Sequence, residues 1–151
     1  MMNRAAPTLI WRHKKENKKK CSLRGLENRD DFCFISYPNP LPSLENYLVL
    51  DVEAPLLTEK DKNSSLLLLD GTWRYASCMK KKLPPSVKRR SLPSHFVTAY
   101  PRRQEDCPLP SQGLASIEAL FLAFYLLGKD PKSLLDNYFW KDLFLEKNKL
   151  L

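Results

Sequence analysis

Apolar positions in the first half of the chain come in short runs of strand length. Residues 8–12, 31–37 and 47–51 each mix apolar and polar positions, and each run predicts a short β-strand. Residues 66–69 are four consecutive leucines, and Asp70 follows them directly. Such an uninterrupted run is typical of a strand that is covered on both faces, as in a parallel sheet.

The pattern changes to helical spacing after Asp70. Trp73, Ala76 and Met79 recur every three residues, so they predict one helix face, and the pair Pro84–Pro85 ends the run. Residues 92–100 contain a further apolar stretch, which predicts another strand.

The last third of the chain is predicted to be mainly helical. Residues 114–127 are apolar almost all round and predict a buried helix that closes at Gly128. Asp130 followed by Pro131 is typical of a helix start, so we expect helix from there towards the C-terminus, in one piece or two. The fold class is therefore α/β, in a single domain over residues 1–151, with an α/β half (1–91) and a mainly helical half (92–151).

The 25 Lys and Arg residues exceed the 17 Asp and Glu residues, and the excess is concentrated in two segments. Residues 1–29 hold nine Lys and Arg against two Glu, and residues 71–103 hold nine with no acid. Two basic blocks that flank one candidate site indicate a polyanionic partner such as nucleic acid, while a solvated surface that keeps the protein soluble remains the alternative.

Composition excludes several other classes of protein. With 4 Gly among 151 residues, the chain has no glycine-rich nucleotide loop. No apolar stretch reaches the ~18 residues of a membrane span, and the N-terminus has no hydrophobic signal core. The 4 Cys and 2 His lack zinc-ligand spacing, so we expect no metal, free thiols and a cytoplasmic protein.

The most informative segment runs from Leu66 to Arg74. A buried strand ends in Asp70, turns at Gly71 and enters a helix, and open parallel sheets bind ligands at that edge. The helix N-terminus suits a ligand carboxylate, and Trp73 offers an aromatic face for a sulfonium or an adenine. The alternative is an ordinary turn, with Asp70 as a helix cap and Trp73 in the core.

The same segment resembles a known signature. Residues 69–74, Leu-Asp-Gly-Thr-Trp-Arg, resemble that of the DTW-domain family, which shares a superfamily of knotted, SPOUT-like folds with the ribosome-biogenesis rRNA aminocarboxypropyltransferases. Residues 9–22 and 92–101 resemble the opening strand with its basic segment and the Leu-Pro strand of the rRNA branch. Residues 114–119 resemble a helix start common to both branches, and residues 138–148 resemble the closing motifs of the rRNA branch.

This resemblance implies a SPOUT-like sheet with a C-terminal trefoil knot and an activity that uses S-adenosylmethionine. The 3-amino-3-carboxypropyl group would move to N3 of a uridine or pseudouridine in RNA. Asp70 would be the catalytic carboxylate, as a general base or as a stabiliser of the sulfonium. Main-chain contacts and the pocket around the co-substrate would come from six positions: Ser22, Leu69, Trp73, Leu92, Gln112 and Leu114.

The basic residues then become candidates for phosphate contacts. Arg74 adjoins the site, and the others are Lys80, Lys81, Lys88, Arg89, Arg90, Arg102 and Arg103. We expect Glu118 to have a structural role at its own helix start rather than to orient substrate. We also expect a monomer without a membrane partner.

Three alternatives remain open. The ends of the chain favour rRNA, in a small-subunit precursor, whereas the Gly-Thr-Trp signature favours tRNA. A non-catalytic RNA-binding ribosome-assembly factor would keep the scaffold without the reaction. An RNA methyltransferase would release S-adenosylhomocysteine instead of methylthioadenosine. The turn that begins at Tyr100 departs from that of the rRNA branch, close to the position expected for the ligand.

Overall fold

The computed structural model describes residues 6–15, 22–101, 113–131 and 133–150, apart from the side chain of Trp73. In this part of the chain five strands form one sheet, with two short 3-10 turns at Leu26–Asn28 and Glu59–Asp61. The strands are β1 (Thr8–His13), β2 (Phe32–Tyr37), β3 (Tyr47–Leu50), β4 (Ser65–Asp70) and β5 (Lys88–Arg90). The helices are α1 (Trp73–Lys80), α2 (Ser116–Leu126) and α3 (Lys141–Lys147).

The sheet has the order β2-β1-β4-β3-β5, and all of its pairs are parallel. Parallel pairing requires crossover connections, and helices pack on both faces of such a sheet. The mixed α/β class predicted from the apolar pattern is confirmed by this topology.

The two sheet faces bury different helices. Ile10, Leu66 and Leu68 pack in one core together with α2, whereas Leu9 and Leu67 pack in a second core with Met79 of α1. Because successive residues of a strand point to opposite faces, neighbouring leucines of β4 serve both cores. The prediction that the four-leucine run forms a strand covered on both faces is confirmed.

The predicted strand over residues 92–100 is wrong. The strand lies earlier, at Lys88–Arg90, and continues as a single bridge between Leu56 and Ser91. The backbone at Val97 and Ala99 forms its hydrogen bonds with side chains of Glu118 on α2 and of Asn148, which follows α3. The Asn148 side chain accepts from Val97 N and donates to Val97 O, at 2.8 Å each, and Glu118 accepts from Ala99 N at 2.8 Å. A segment that is anchored in this way needs no strand neighbour.

The predicted helix start at Asp130–Pro131 is also wrong. The described residues there form turns over 133–137, and the next helix begins at Lys141. Leu134 and Leu135 are nevertheless buried in the core beside α2, so burial rather than helical spacing explains this apolar pair. Gly128 at the end of α2 has φ of 74°, a conformation that suits the glycine predicted to close that helix.

The predicted C-terminal knot stays a prediction, because a knot depends on the whole path of the chain and residues 102–112 lie outside the described residues. The division of the domain at residue 91 likewise stays a prediction. None of the helices in the described ranges is long and apolar enough to cross a bilayer.

Candidate functional site

The chain changes direction in the sheet between β1 and β4. After β1 it continues to β2 on one side, whereas after β4 it continues through α1 to β5 on the other side. In open α/β sheets, ligands bind in the crevice outside the carboxyl ends of the strands at such a switch point. The residues that close β1 and β4 are therefore the first place to look for a site.

Asp70 ends β4 at this crevice, and Arg12 of β1 is its partner in the register. The Asp70 side chain is 2% exposed and accepts a hydrogen bond from Arg12 Nε at 2.9 Å. Its other oxygen accepts from Ser116 Oγ at 3.1 Å, on the first residue of α2. Three elements thus hold one buried carboxylate in a fixed orientation.

Gly71 and Thr72 make the turn from β4 into α1. A Cβ at Gly71 would lie 3.1 Å from the Cβ of Tyr75 and 3.3 Å from the Cβ of His13, so this turn packs tightly against β1. The Thr72 hydroxyl accepts from Tyr75 N at 3.4 Å and caps α1. Because Thr72 is the cap, Asp70 is not needed for that role, and the turn is not a hairpin.

The N-terminus of α2 lies at the same edge of the sheet. Ser22 Oγ accepts from Ile117 N at 3.0 Å, so it satisfies one of the first N–H groups of this helix. Glu118 is completely buried and accepts from Ala115 N and from the Tyr138 hydroxyl, at 2.8 and 3.0 Å. These contacts support the structural role predicted for Glu118, because they join the start of α2 to the C-terminal segment.

His13 closes β1 on the opposite face of the sheet, inside an aromatic stack. Its ring lies 4.0 Å from that of Tyr75 and 5.4 Å from that of Tyr37, stacked on both. His13 Nδ1 accepts from Lys15 N at 3.1 Å, which leaves Nε2 as the protonated nitrogen of the neutral ring. The pKa of His13 is lowered, chiefly because burial disfavours the charged ring and further because of the charges of Lys15 and Lys14.

We expect His13 to make folding stability depend on pH. Below about pH 6.5 the unfolded chain binds a proton on this histidine more readily than the folded chain does, so the free energy of unfolding falls as the pH decreases from 7.5 to 5.5. His13→Phe keeps an aromatic ring but cannot titrate. The free energy of unfolding of this variant should therefore fall less than that of the wild type over the same pH range. Urea unfolding at several pH values measures both slopes. Equal slopes would contradict this assignment, since the exposed His95 is present in both proteins.

The residues predicted to bind a co-substrate lie in different parts of the site. Ser22 lies at the N-terminus of α2, as described above. Leu69, next to Asp70, is partly buried on the α1 side, whereas Leu92 and Leu114 are partly buried against the core on the α2 side. Gln112 and the side chain of Trp73 lie outside the described part of the structure, so their roles stay predictions.

Two residues of the predicted RNA-binding set contact Asp51, which follows β3. Lys80 Nζ lies 3.2 Å from an Asp51 carboxylate oxygen, and Arg89 Nη1 lies 4.0 Å from the other. Arg74 and Lys81 are exposed near the start and just after the end of α1. These placements leave the RNA roles as predictions, but they show that part of the basic charge is used within the fold.

Two further basic residues meet at one buried acid. Lys88 Nζ and Arg90 Nε lie 3.3 and 3.2 Å from the two oxygens of Asp61. Burial alone would raise the pKa of Asp61, but hydrogen bonds from Thr58 N–H and Lys88 and the charges of Arg90 and Lys88 outweigh it, so the pKa is lowered. The predicted phosphate-binding residues Arg102 and Arg103 lie outside the described residues.

Arg12 and Ser116 are site residues that the sequence alone did not indicate. A charged residue at the end of an apolar strand, as Arg12 is, was the available signal. The register that sets it opposite Asp70 is a tertiary property. The same holds for Ser116, which approaches Asp70 across 46 positions of the chain.

Among the described residues, no group of three or more His, Cys, Asp or Glu side chains is arranged to hold a metal ion. The groups that the site does present are a buried carboxylate, a guanidinium, a hydroxyl and two helix N-termini at the carboxyl edge of a parallel sheet.

The fold and the site define a five-stranded parallel α/β domain with its candidate site at a switch point. The structure is similar to that of the SAM-dependent rRNA acp-transferase Tsr3 from Vulcanisaeta distributa. The TM-score is 0.76 and the sequence identity 23%, over 97% of this chain and 80% of that chain. This likeness shows a shared fold. No family model and no curated protein matches the sequence.

Proposed function

We propose that this protein transfers the 3-amino-3-carboxypropyl group of S-adenosylmethionine to N3 of a uridine or pseudouridine in RNA, with rRNA as the favoured substrate. The observation that carries the proposal is the buried Asp70, held by Arg12 and Ser116 at the switch point of the sheet. The fold shared with an rRNA acp-transferase supports it, as does the resemblance of residues 69–74 to the DTW signature.

The side chains at the site fit a sulfonium compound that carries a carboxylate. Asp70 supplies a negative charge for the sulfonium, and the N-terminus of α1 supplies a positive dipole end for a carboxylate. The absence of a side chain at Gly71 lets the turn between these two features pack directly against Tyr75 and His13. Ser22, Leu69, Leu92 and Leu114 are the described positions proposed for main-chain contacts.

In the proposed reaction, N3 of the base loses its proton and bonds to the propyl carbon next to sulfur, while the carbon–sulfur bond breaks and methylthioadenosine leaves. The oriented Asp70 is suited to assist, either by taking the N3 proton or by its negative charge beside the sulfonium. Arg12 and Ser116 fix the direction in which its oxygens point. The side chain is then already in position before the substrates bind.

The RNA would approach along the exposed basic side chains near this edge. Arg74 is exposed in the first turn of α1, and the exposed Lys14 and Lys15 follow β1, whereas the exposed Lys81 lies at the far end of α1. Phosphates can bind these cations without any sequence readout, so positioning would come from the charges and specificity from the acceptor nucleotide itself.

Mass spectrometry of nucleosides tests the proposal. Ribosomal and transfer RNA are purified separately from cells with and without the gene, and the purified protein is then incubated with each unmodified RNA and S-adenosylmethionine. We expect an aminocarboxypropyl-uridine or -pseudouridine to be missing from one pool and restored by the protein in vitro. A methylated nucleoside instead would indicate a methyltransferase. No change in either pool, with the protein expressed, would contradict transfer and favour a binding protein.

A further inference from the structure

An open cavity lies on the α1 face of the sheet, away from the Asp70 carboxylate. It has a volume of about 460 Å³ and is formed by the segment after β2 and the segment after α1. Its walls are mostly apolar or aromatic, and they include Trp11, Tyr37, Leu41 and Leu83. Lys82, an exposed residue, also lines it. The described residues around the cavity include no carboxylate.

This cavity adjoins the candidate site through the aromatic stack. The ring of Tyr37, which lines it, stacks on His13 at 5.4 Å. His13 in turn packs against the turn at Gly71, next to Asp70. Asp70 itself faces α2, since it bonds to Ser116. The cavity thus reaches the carboxyl edge of the sheet at Tyr37, which closes β2, and it lies on the face opposite to the one that Asp70 faces.

We propose that this cavity binds one unpaired nucleobase of the RNA strand whose acceptor nucleotide lies at Asp70, with Lys82 next to a phosphate of that strand. The proposal rests on the proposed function for the choice of RNA. It assigns the cavity to a nucleotide beside the acceptor, because a strand that passes over the carboxyl edge can reach both faces.

The chemistry of the walls favours a nucleobase over other occupants. A cavity of this volume is within the range of small-molecule sites and large enough for a base. Bases stack on aromatic side chains whatever their sequence, and a neighbouring lysine suits the phosphate that each base carries. Lys82 is exposed at the cavity, Lys81 beside it in the chain is exposed as well, and none of the residues that line the cavity is acidic. A proline-rich peptide would use the same aromatic wall but would gain nothing from these charges.

Two substitutions and their matched controls test the cavity. Leu41→Trp fills it, and Lys82→Ala removes the charge at its edge. Leu143→Trp on the exposed face of α3 and Lys62→Ala on the segment before β4 make the same changes elsewhere. Each protein is titrated into a fluorescein-labelled single-stranded RNA of about twelve nucleotides at several salt concentrations, and separately with S-adenosylmethionine.

We expect Leu41→Trp to weaken RNA binding about tenfold with an unchanged salt slope, because it removes stacking and no charge. Lys82→Ala should lower the salt slope by about 0.7, the value for one phosphate contact on a single strand. Both controls should match the wild type, and none of the four should alter the affinity for S-adenosylmethionine. Equal RNA affinity for Leu41→Trp and Leu143→Trp would overturn the proposal.

Photocrosslinking of wild-type protein to RNA that contains 4-thiouridine locates the base directly. We expect crosslinked peptides that include residues 37–44, and crosslinks confined to other surfaces would overturn the proposal. A proline-rich peptide whose binding depends on Leu41, with RNA binding unaffected, would also overturn it. If the modified nucleoside is found in vivo but RNA affinity does not depend on Leu41, the proposed transfer is supported and the assignment of the cavity is wrong. If RNA affinity depends on Leu41 but no modified nucleoside is found, the assignment of the cavity is supported and the proposed transfer is wrong.

Discussion

Asp70→Asn is expected to reduce aminocarboxypropyl transfer by about 10²- to 10⁴-fold at saturating S-adenosylmethionine, the range typical of a positioned acid–base group. The substitution keeps the size of the side chain and one acceptor oxygen for its neighbours, but it removes the negative charge and the second acceptor. The rate is measured as modified nucleoside formed per unit time by mass spectrometry.

Asp51→Asn is the matched control for this prediction. Asp51 also follows a strand of the sheet, is buried at its side chain (7% exposed) and is ion-paired, with Lys80 at 3.2 Å. Its substitution should leave transfer within a few-fold of the wild type. Transfer at the wild-type rate by Asp70→Asn, with the protein shown to be folded, would remove Asp70 from the reaction.

Arg12→Met is expected to lower the free energy of unfolding by about 3–5 kcal/mol, the usual cost of leaving one member of a buried ion pair without its partner. The two side chains are 7% and 2% exposed, so solvent screens their interaction little. The double substitution Arg12→Met/Asp70→Leu removes both charges and should recover most of that loss. Urea unfolding of the wild type, both single variants and the double variant gives the coupling energy.

The double variant also separates stability from chemistry. It should be folded and lack transfer, because it has no carboxylate at the site. If the losses in the free energy of unfolding of the two single variants simply add in the double variant, the ion pair is not the reason for the loss. An active double variant would contradict the role proposed for Asp70.

Local signals explain which predictions about the fold hold. The leucine run before Asp70 predicts a strand covered on both faces. The three-residue spacing of Trp73, Ala76 and Met79 predicts α1. Both predictions use apolar spacing, which indicates directly which faces of an element are buried. The strand predicted over residues 92–100 is wrong because the hydrogen-bond partners of this backbone come from residues that are distant in the chain. Phe96 and Ala99 are buried there, but Asn148 and Glu118 rather than a neighbouring strand supply the hydrogen bonds of the backbone.

The ion pairs of the basic residues also depend on partners that are distant in the chain. Their concentration in residues 71–103 is visible in the sequence and indicates a polyanionic partner such as nucleic acid. The sequence does not show that Lys88 and Arg90 meet Asp61, or that Lys80 meets Asp51, because each acid lies between 27 and 29 positions away in the chain. The charges that remain available to a partner are therefore set by the folded arrangement.

The sequence by itself determined the α/β class, the central strand with its terminal carboxylate and the helix that follows, because each of these depends on residues that are neighbours in the chain. The tertiary structure alone decided the strand order and the contacts of Asp70 with Arg12 and Ser116, which are 58 and 46 positions away. It also decided the cavity beside the aromatic stack. Such contacts arise from the packing of whole elements, and no local pattern of residues encodes which elements become neighbours.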